Sequence, residues 1–314
     1  MERWDRAGRF AAYGAALALL PYALIKVSWV VGALAGLLPV GAGFGLVEWV
    51  ALNTVTVGMA GIGITVALAL ARPWGMRIPG PLVAFVAWVA TGLLVPLLPY
   101  AVLDSLLGSA DGGSGEGGGG GDGPSMPGWE AALIQVGFVG MGLGLAVALP
   151  AYLRRRWPDA FAERAGGGAE GSRLAAWVVA GGAVIGLAWL YWAAGGAGGV
   201  AHPDERNAHW RALNAVCGLW GLAASAAAFA LTRAGCVRLP RWVPMAVGWL
   251  GSGSLFAWSG WKLPLTLYVS LAKPDDAALP EDLAVAVVLR LAAVVVGAAM
   301  MRILVRSHRR TAGG

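Results

Sequence analysis

The chain has 314 residues, 58% of them hydrophobic and only 13% charged, with a formal net charge of +6. Both fractions lie far from those of soluble domains, and apolar runs of roughly 20 residues recur, each long enough to cross a bilayer as a helix. Open sheets are excluded because their edges would go unpaired in lipid, and the runs are too continuous for a membrane barrel.

Eight spans are predicted, at about 10–37, 46–71, 80–103, 129–152, 173–194, 210–232, 242–268 and 283–305. Span one holds Pro21 and Lys26, which predicts a kink or a steep tilt. Arg3, Arg6 and Arg9 precede it and Ala33-Leu34-Ala35 resembles a cleavage box. The lysine inside the apolar run and a partner-like fifth span argue for retention rather than removal as a signal peptide. Between spans three and four, residues 108–127 are glycine-rich with scattered Asp, Glu and Ser, the composition of a flexible linker. No strand precedes this stretch and the Walker lysine is absent, so it is not a phosphate loop. Between spans five and six, His202, Glu205 and His209 could reach a metal if the segment becomes helical, but their spacing matches no zinc motif; a solvated acidic loop is expected, with no metal and no cofactor.

Arginine clusters at the N-terminus and in 72–79, 153–172, 233–241 and 302–310, whereas the alternate segments carry Asp104, Asp111, Glu116, Asp122 and Glu130, then Asp204 and Glu205, then Asp275, Asp276, Glu281 and Asp282. The positive-inside rule predicts a multi-pass protein of the cell membrane with both termini in the cytoplasm. The net charge is then a topology signal, and nucleic acid is not an expected partner. Cys217 lies in span six and Cys236 in a loop, so they are not expected to pair.

The segment from Trp49 to Leu94 repeats, without a gap, from Trp210 to Leu255. Matches include Trp49/Trp210, Asn53/Asn214, Arg72/Arg233, Pro79/Pro240, Trp88/Trp249 and Gly92/Gly253. Roughly a third of positions agree at this single offset, more than apolar composition alone supplies. Around it, Lys26 to Trp29 aligns with Trp189 to Trp192 after a two-residue slip, and Gln135 falls opposite Arg290. The expected architecture is therefore an all-α tandem 4+4 pseudo-symmetric repeat: 1–152, a cytoplasmic linker at 153–172, and 173–314. An even number of spans per repeat enters the membrane in the same sense, so the relating axis lies along the membrane normal. Small residues at Gly137, Gly140 and Gly144, and at Gly218, Gly221 and Ser225, have the spacing for close helix packing.

Counting depth at about 1.5 Å per residue, Lys26, Asn53, Gln135, Asn214, Lys262 and Arg290 fall at similar heights toward the outer ends of their spans, with Glu48, Tyr100, Asp104 and His209 at the rim. Polar groups in lipid face a bundle interior or a wet cavity, so these predict one polar layer between the repeats, open to the outside. A structural reading pairs Lys26 with Glu48 and bonds the asparagines to nearby backbone. A functional reading uses the surplus cations to attract an anion, and a third runs a proton relay through Glu48 and His209. Most of the 16 tryptophans fall where aromatic belts form. Trp88 and Trp249 sit at matching mid-span positions and are expected to face each other as an aromatic wall.

Residues Tyr22 to Gly32, with Lys26, Trp29 and Gly32 in order, resemble the first helix of small uncharacterised four-span membrane proteins of high-GC Gram-positive bacteria, and the Arg290 helix is similar to their last span. That resemblance implies a four-span unit and no particular activity. Three functions remain open. The first is binding or transport of a small anionic or amphiphilic ligand by Lys26, Asn53, Trp88, Gln135, Asn214, Trp249, Lys262 and Arg290. The second is an intramembrane enzyme of cyclase or transferase type, with Glu48 or His209 as general acid. The third is a ligand-free partner for assembling another membrane protein.

Overall fold

The structure is a computed structural model, and it describes residues 2–41, 45–95, 98–100, 128–156, 173–232, 240, 242–272 and 280–311. The expected segments 108–127 and 157–172, together with Asp104, Cys236, Asp275 and Asp276, lie outside the described residues.

The described elements are helical. They are α1 (Glu2–Leu34), α2 (Leu46–Ala71), α3 (Gly80–Leu94), α4 (Gly128–Arg156), α5 (Arg173–Ala193), α6 (Ala208–Thr232), α7 (Trp242–Ala272) and α8 (Leu283–Thr311), with short 3-10 turns at Pro73–Met76 and Pro203–Glu205. Each expected span has its helix. Seven are long and apolar enough to cross a membrane, and α7 is not among them. The reason is its content of Trp, Ser and Gly: residues 251–255 are buried on every side, so that stretch of α7 meets protein and not lipid.

Exposure argues for the membrane independently of length. On α1, Phe10, Leu17, Leu24 and Val31 form an exposed stripe at seven-residue spacing, while Ala12, Ala15, Ala16 and Leu19 are buried. On α5, Trp177, Val184 and Tyr191 form another. Large apolar side chains outward and small ones inward invert the soluble pattern and suit a lipid surround.

The chain divides into two compact units, and the boundary runs through α3 between Ala87 and Trp88. The sequence boundary at 153–172 does not separate this part of α3 from the second unit. In the first unit α1 packs along both α2 and α4. A Cβ on Gly140 would come within 2.6 Å of the Ala18 Cβ, and one on Gly144 within 2.5 Å of the Ala15 Cβ, so this seam needs glycine. At the arginine-bearing end, Arg155 donates to the Leu70 carbonyl at 2.6 Å, and Arg156 to those of Gly75 and Ile78 at 3.3 and 2.9 Å. Tyr152 also donates to the Gly75 carbonyl, at 3.1 Å. These arginines therefore close the end of α2 and the following turn.

In the second unit α7 lies against α6 and α8, and α5 packs on α6. The Gly186 and Gly218 backbones meet so closely that a Cβ on either would lie 2.8 Å from the other's carbonyl oxygen. A core of Val178, Ile185, Trp189, Trp192, Ala224, Leu255, Ala293 and Met300 fills the interior.

Candidate functional site

In each unit a tryptophan–asparagine pair opens one helix. The Asn53 amide donates to the Trp49 carbonyl at 2.8 Å, and the Asn214 amide donates to the Trp210 carbonyl at 2.8 Å. The Trp49 ring stacks on Trp29 at 5.6 Å, and the Trp210 ring sits 6.2 Å from Trp192. Matching positions thus make matching contacts, and the two surroundings then diverge.

In the first unit Lys26 completes the arrangement. Its ammonium donates to Asn53 Oδ1 at 3.1 Å and lies 3.9 Å from the Trp29 ring centroid and 5.9 Å from that of Tyr22. Asn53 is 1% exposed. An amide oxygen and two ring faces offset the lost hydration of this cation. The expected Lys26–Glu48 pair does not form: Glu48 is exposed and accepts the Gly45 N–H at 3.1 Å, capping its own helix. Gln135 on α4 is half-buried and bonds to no described residue.

In the second unit the position aligned with Lys26 holds Trp189, and the cations come from other helices. Arg290 of α8 donates to Glu281 Oε1 at 3.4 Å, to the Lys262 carbonyl at 3.3 Å and to the Thr266 hydroxyl. The Arg290 and Glu281 side chains are 11% and 6% exposed. Glu281 also accepts the Trp210 indole N–H at 3.3 Å. It is held between two chain segments: Pro280 accepts the Ala201 and His202 amides at 2.9 and 3.1 Å, and Asp282 donates to the Gly199 carbonyl at 2.9 Å. Gly195 and Gly199, with φ of 101° and 76°, give the first segment its turns. Arg206 and Arg211, which depart from the acidic character of their segment, donate to the carbonyls of Gly196 and Ala193 and close the end of α5.

Asn214, Lys262, Glu281 and Arg290 border one pocket, walled by Trp189, Trp192 and Trp258. Its free space of about 30 Å³ suits one small polar group and not a bulky metabolite. Two formal cations face one carboxylate there. The Lys262 ammonium and Asn214 Oδ1 make no hydrogen bond to any described residue.

Trp88 and Trp249 do meet, although as packing and not as a wall of this pocket. Trp88 donates to Ser252 Oγ at 3.1 Å and Trp249 donates to Thr91 Oγ1 at 3.0 Å, a reciprocal exchange between matching residues. Between them Gly92 and Gly253 touch, and a Cβ on Gly92 would come within 2.3 Å of the Gly253 backbone. The Trp88 ring stacks on Phe256, which leaves it 3% exposed. Both indole N–H groups serve helix association.

The described contacts join Lys26 with Asn53 in the first unit, and Asn214, Lys262 and Arg290 border one pocket in the second. Glu48 and His209 belong to different units. Glu281, Thr266 and Trp189 were missed as site residues. Glu281 had a signal: an arginine inside a span requires a carboxylate, and this one lies two residues before α8 begins. Known proteins add no family. No family model, curated protein or solved structure matches the chain.

Proposed function

We propose that this is a multi-pass protein of the cell membrane, with both termini in the cytoplasm, built from two related helical quartets and binding or carrying a small anionic ligand in its second unit. The pocket's charge balance carries the reading: Lys262 and Arg290 face Glu281 alone, and the Lys262 ammonium has no hydrogen-bond acceptor among the described residues. Lys262 is half-buried, and an anion entering beside its ammonium and the Arg290 guanidinium gains both cations at once. Alternating arginine-rich and acidic segments support the orientation, which opens the pocket to the extracytoplasmic side. The paired Trp–Asn contacts and the exchange between Trp88/Ser252 and Trp249/Thr91 support the repeat.

Native mass spectrometry of the purified chain with added acetate or phosphate tests this. A one-to-one adduct is expected in the wild type and its loss in Lys262→Met. Equal adducts in both proteins, or none in either, would overturn it. A C-terminal reporter fusion active only in the cytoplasm checks orientation; activity only outside would reverse it.

A further inference from the structure

The pocket already holds one carboxylate, and it is the chain's own. Resting on the anion-binding reading above, we infer that the ligand is a small monocarboxylate that takes the place of Glu281 on Arg290, so that Glu281 is an internal competitor.

Four observations point to this. First, the Glu281 contacts are long and single-point: 3.4 Å to Arg290 and 3.3 Å to the Trp210 indole, against the roughly 2.8 Å of a well-seated guanidinium–carboxylate fork. The seat accepts a carboxylate, and Glu281 fills it poorly. Second, Arg290 is anchored from behind by Thr266 and the Lys262 carbonyl, so its guanidinium keeps its place when the carboxylate is exchanged. Third, Lys262 and Asn214 border the same space, and the ammonium and Oδ1 make no hydrogen bond to a described residue. A second carboxylate oxygen beside Lys262 gains a donor that Glu281 does not engage. Fourth, the remaining lining is mainly apolar, with Trp189, Trp192, Trp258, Leu213, Ala286 and Leu289 beside Cys217 and Ser259, and the free space of about 30 Å³ leaves room for a short remainder beyond the carboxylate and not for a second charged end.

Displacement has a mechanical side. Glu281 sits in the clasp formed by the bonds from Ala201 and His202 to Pro280 and from Asp282 to Gly199. When a ligand holds Arg290, the clasp loses its inward tether and the mouth of the pocket loosens. Ligand entry and clasp opening are one equilibrium, and the fraction of molecules with Glu281 seated lowers apparent affinity by that fraction.

Calorimetric titration of the full chain in micelles with butyrate tests the inference, with butyramide as the neutral control and phosphate as the non-carboxylate anion. Glu281→Gln keeps the shape and the acceptor for Trp210. It is expected to bind butyrate about tenfold more tightly than the wild type, with no response to butyramide. Wild-type binding of butyrate that is unchanged or weakened in Glu281→Gln overturns the competition. Binding of phosphate without butyrate overturns the carboxylate assignment while the anion reading stands. No binding of any anion to either protein removes the anion reading itself. Octanoate separates the two sources of such a carboxylate: tighter binding than butyrate assigns a lipid-derived acid, and equal or weaker binding assigns a free short-chain acid. Amide hydrogen exchange on the wild type needs no variant. At saturating butyrate, exchange at Ala201, His202 and Asp282 is expected to speed up, and unchanged exchange there overturns the displacement of Glu281.

Discussion

The Lys26 cluster and the Lys262 pocket begin from the same local device, a buried asparagine bonded back to the carbonyl of a tryptophan one turn earlier. They treat a cation in opposite ways. Lys26 has an amide oxygen in front and indole and phenol rings around it, so its charge is settled inside the protein. Lys262 has no hydrogen-bond acceptor among the described residues, and its neighbour is a second cation whose carboxylate is shared with an indole. A lysine in a membrane helix is therefore no indicator of function by itself. What separates a packing element from a binding element is the fraction of its hydrogen-bonding capacity that the fold already uses.

The contrast can be broken most forcefully at Arg290. Arg290→Met leaves Glu281 buried without its cation, and stability in micelles is expected to fall by roughly 3–5 kcal/mol. Adding Glu281→Gln should restore most of the loss, because the strained term is the orphaned charge; unfolding curves of the single and double variants measure both. Next in size is Asn53→Ala, which removes the only hydrogen-bond acceptor of Lys26 among the described residues and is expected to cost about 2 kcal/mol. The matching Asn214→Ala removes a neutral bond to backbone and should cost about 1 kcal/mol. Equal costs at the two asparagines would mean that the clusters are not different in kind. The smallest stability effect belongs to Lys262→Met, within about 1 kcal/mol of wild type in a thermal melt, because the ammonium makes no hydrogen bond to a described residue.

Most of the fold was legible because spans of this length are written in composition and their caps in charge. The helix starts at 46, 80, 173, 242 and 283 agree with the sequence reading. That residues 251–255 of α7 are enclosed by protein was not legible, because the contacts with α3, α6 and α8 join distant segments. The site was legible by residue type and not by partnership. Depth along a helix places Lys26, Asn53, Asn214, Lys262 and Arg290 toward the same end, but rotation about the axis decides which of them meet. Glu281 illustrates the gap: among four acids in one segment, only the tertiary clasp selects it for Arg290. Trp88 and Trp249 show the converse, since their correspondence was visible while the Thr91 and Ser252 hydroxyls that use up their N–H groups were not weighed.

The most direct measurement is a side-by-side titration of Lys26→Met and Lys262→Met with a small carboxylate, each inserted and folded. The account predicts near-wild-type affinity for the Lys26 variant and about a tenfold loss for the Lys262 variant. Loss of binding in the Lys26 variant with Lys262 dispensable would place the ligand chemistry in the wrong unit and contradict it.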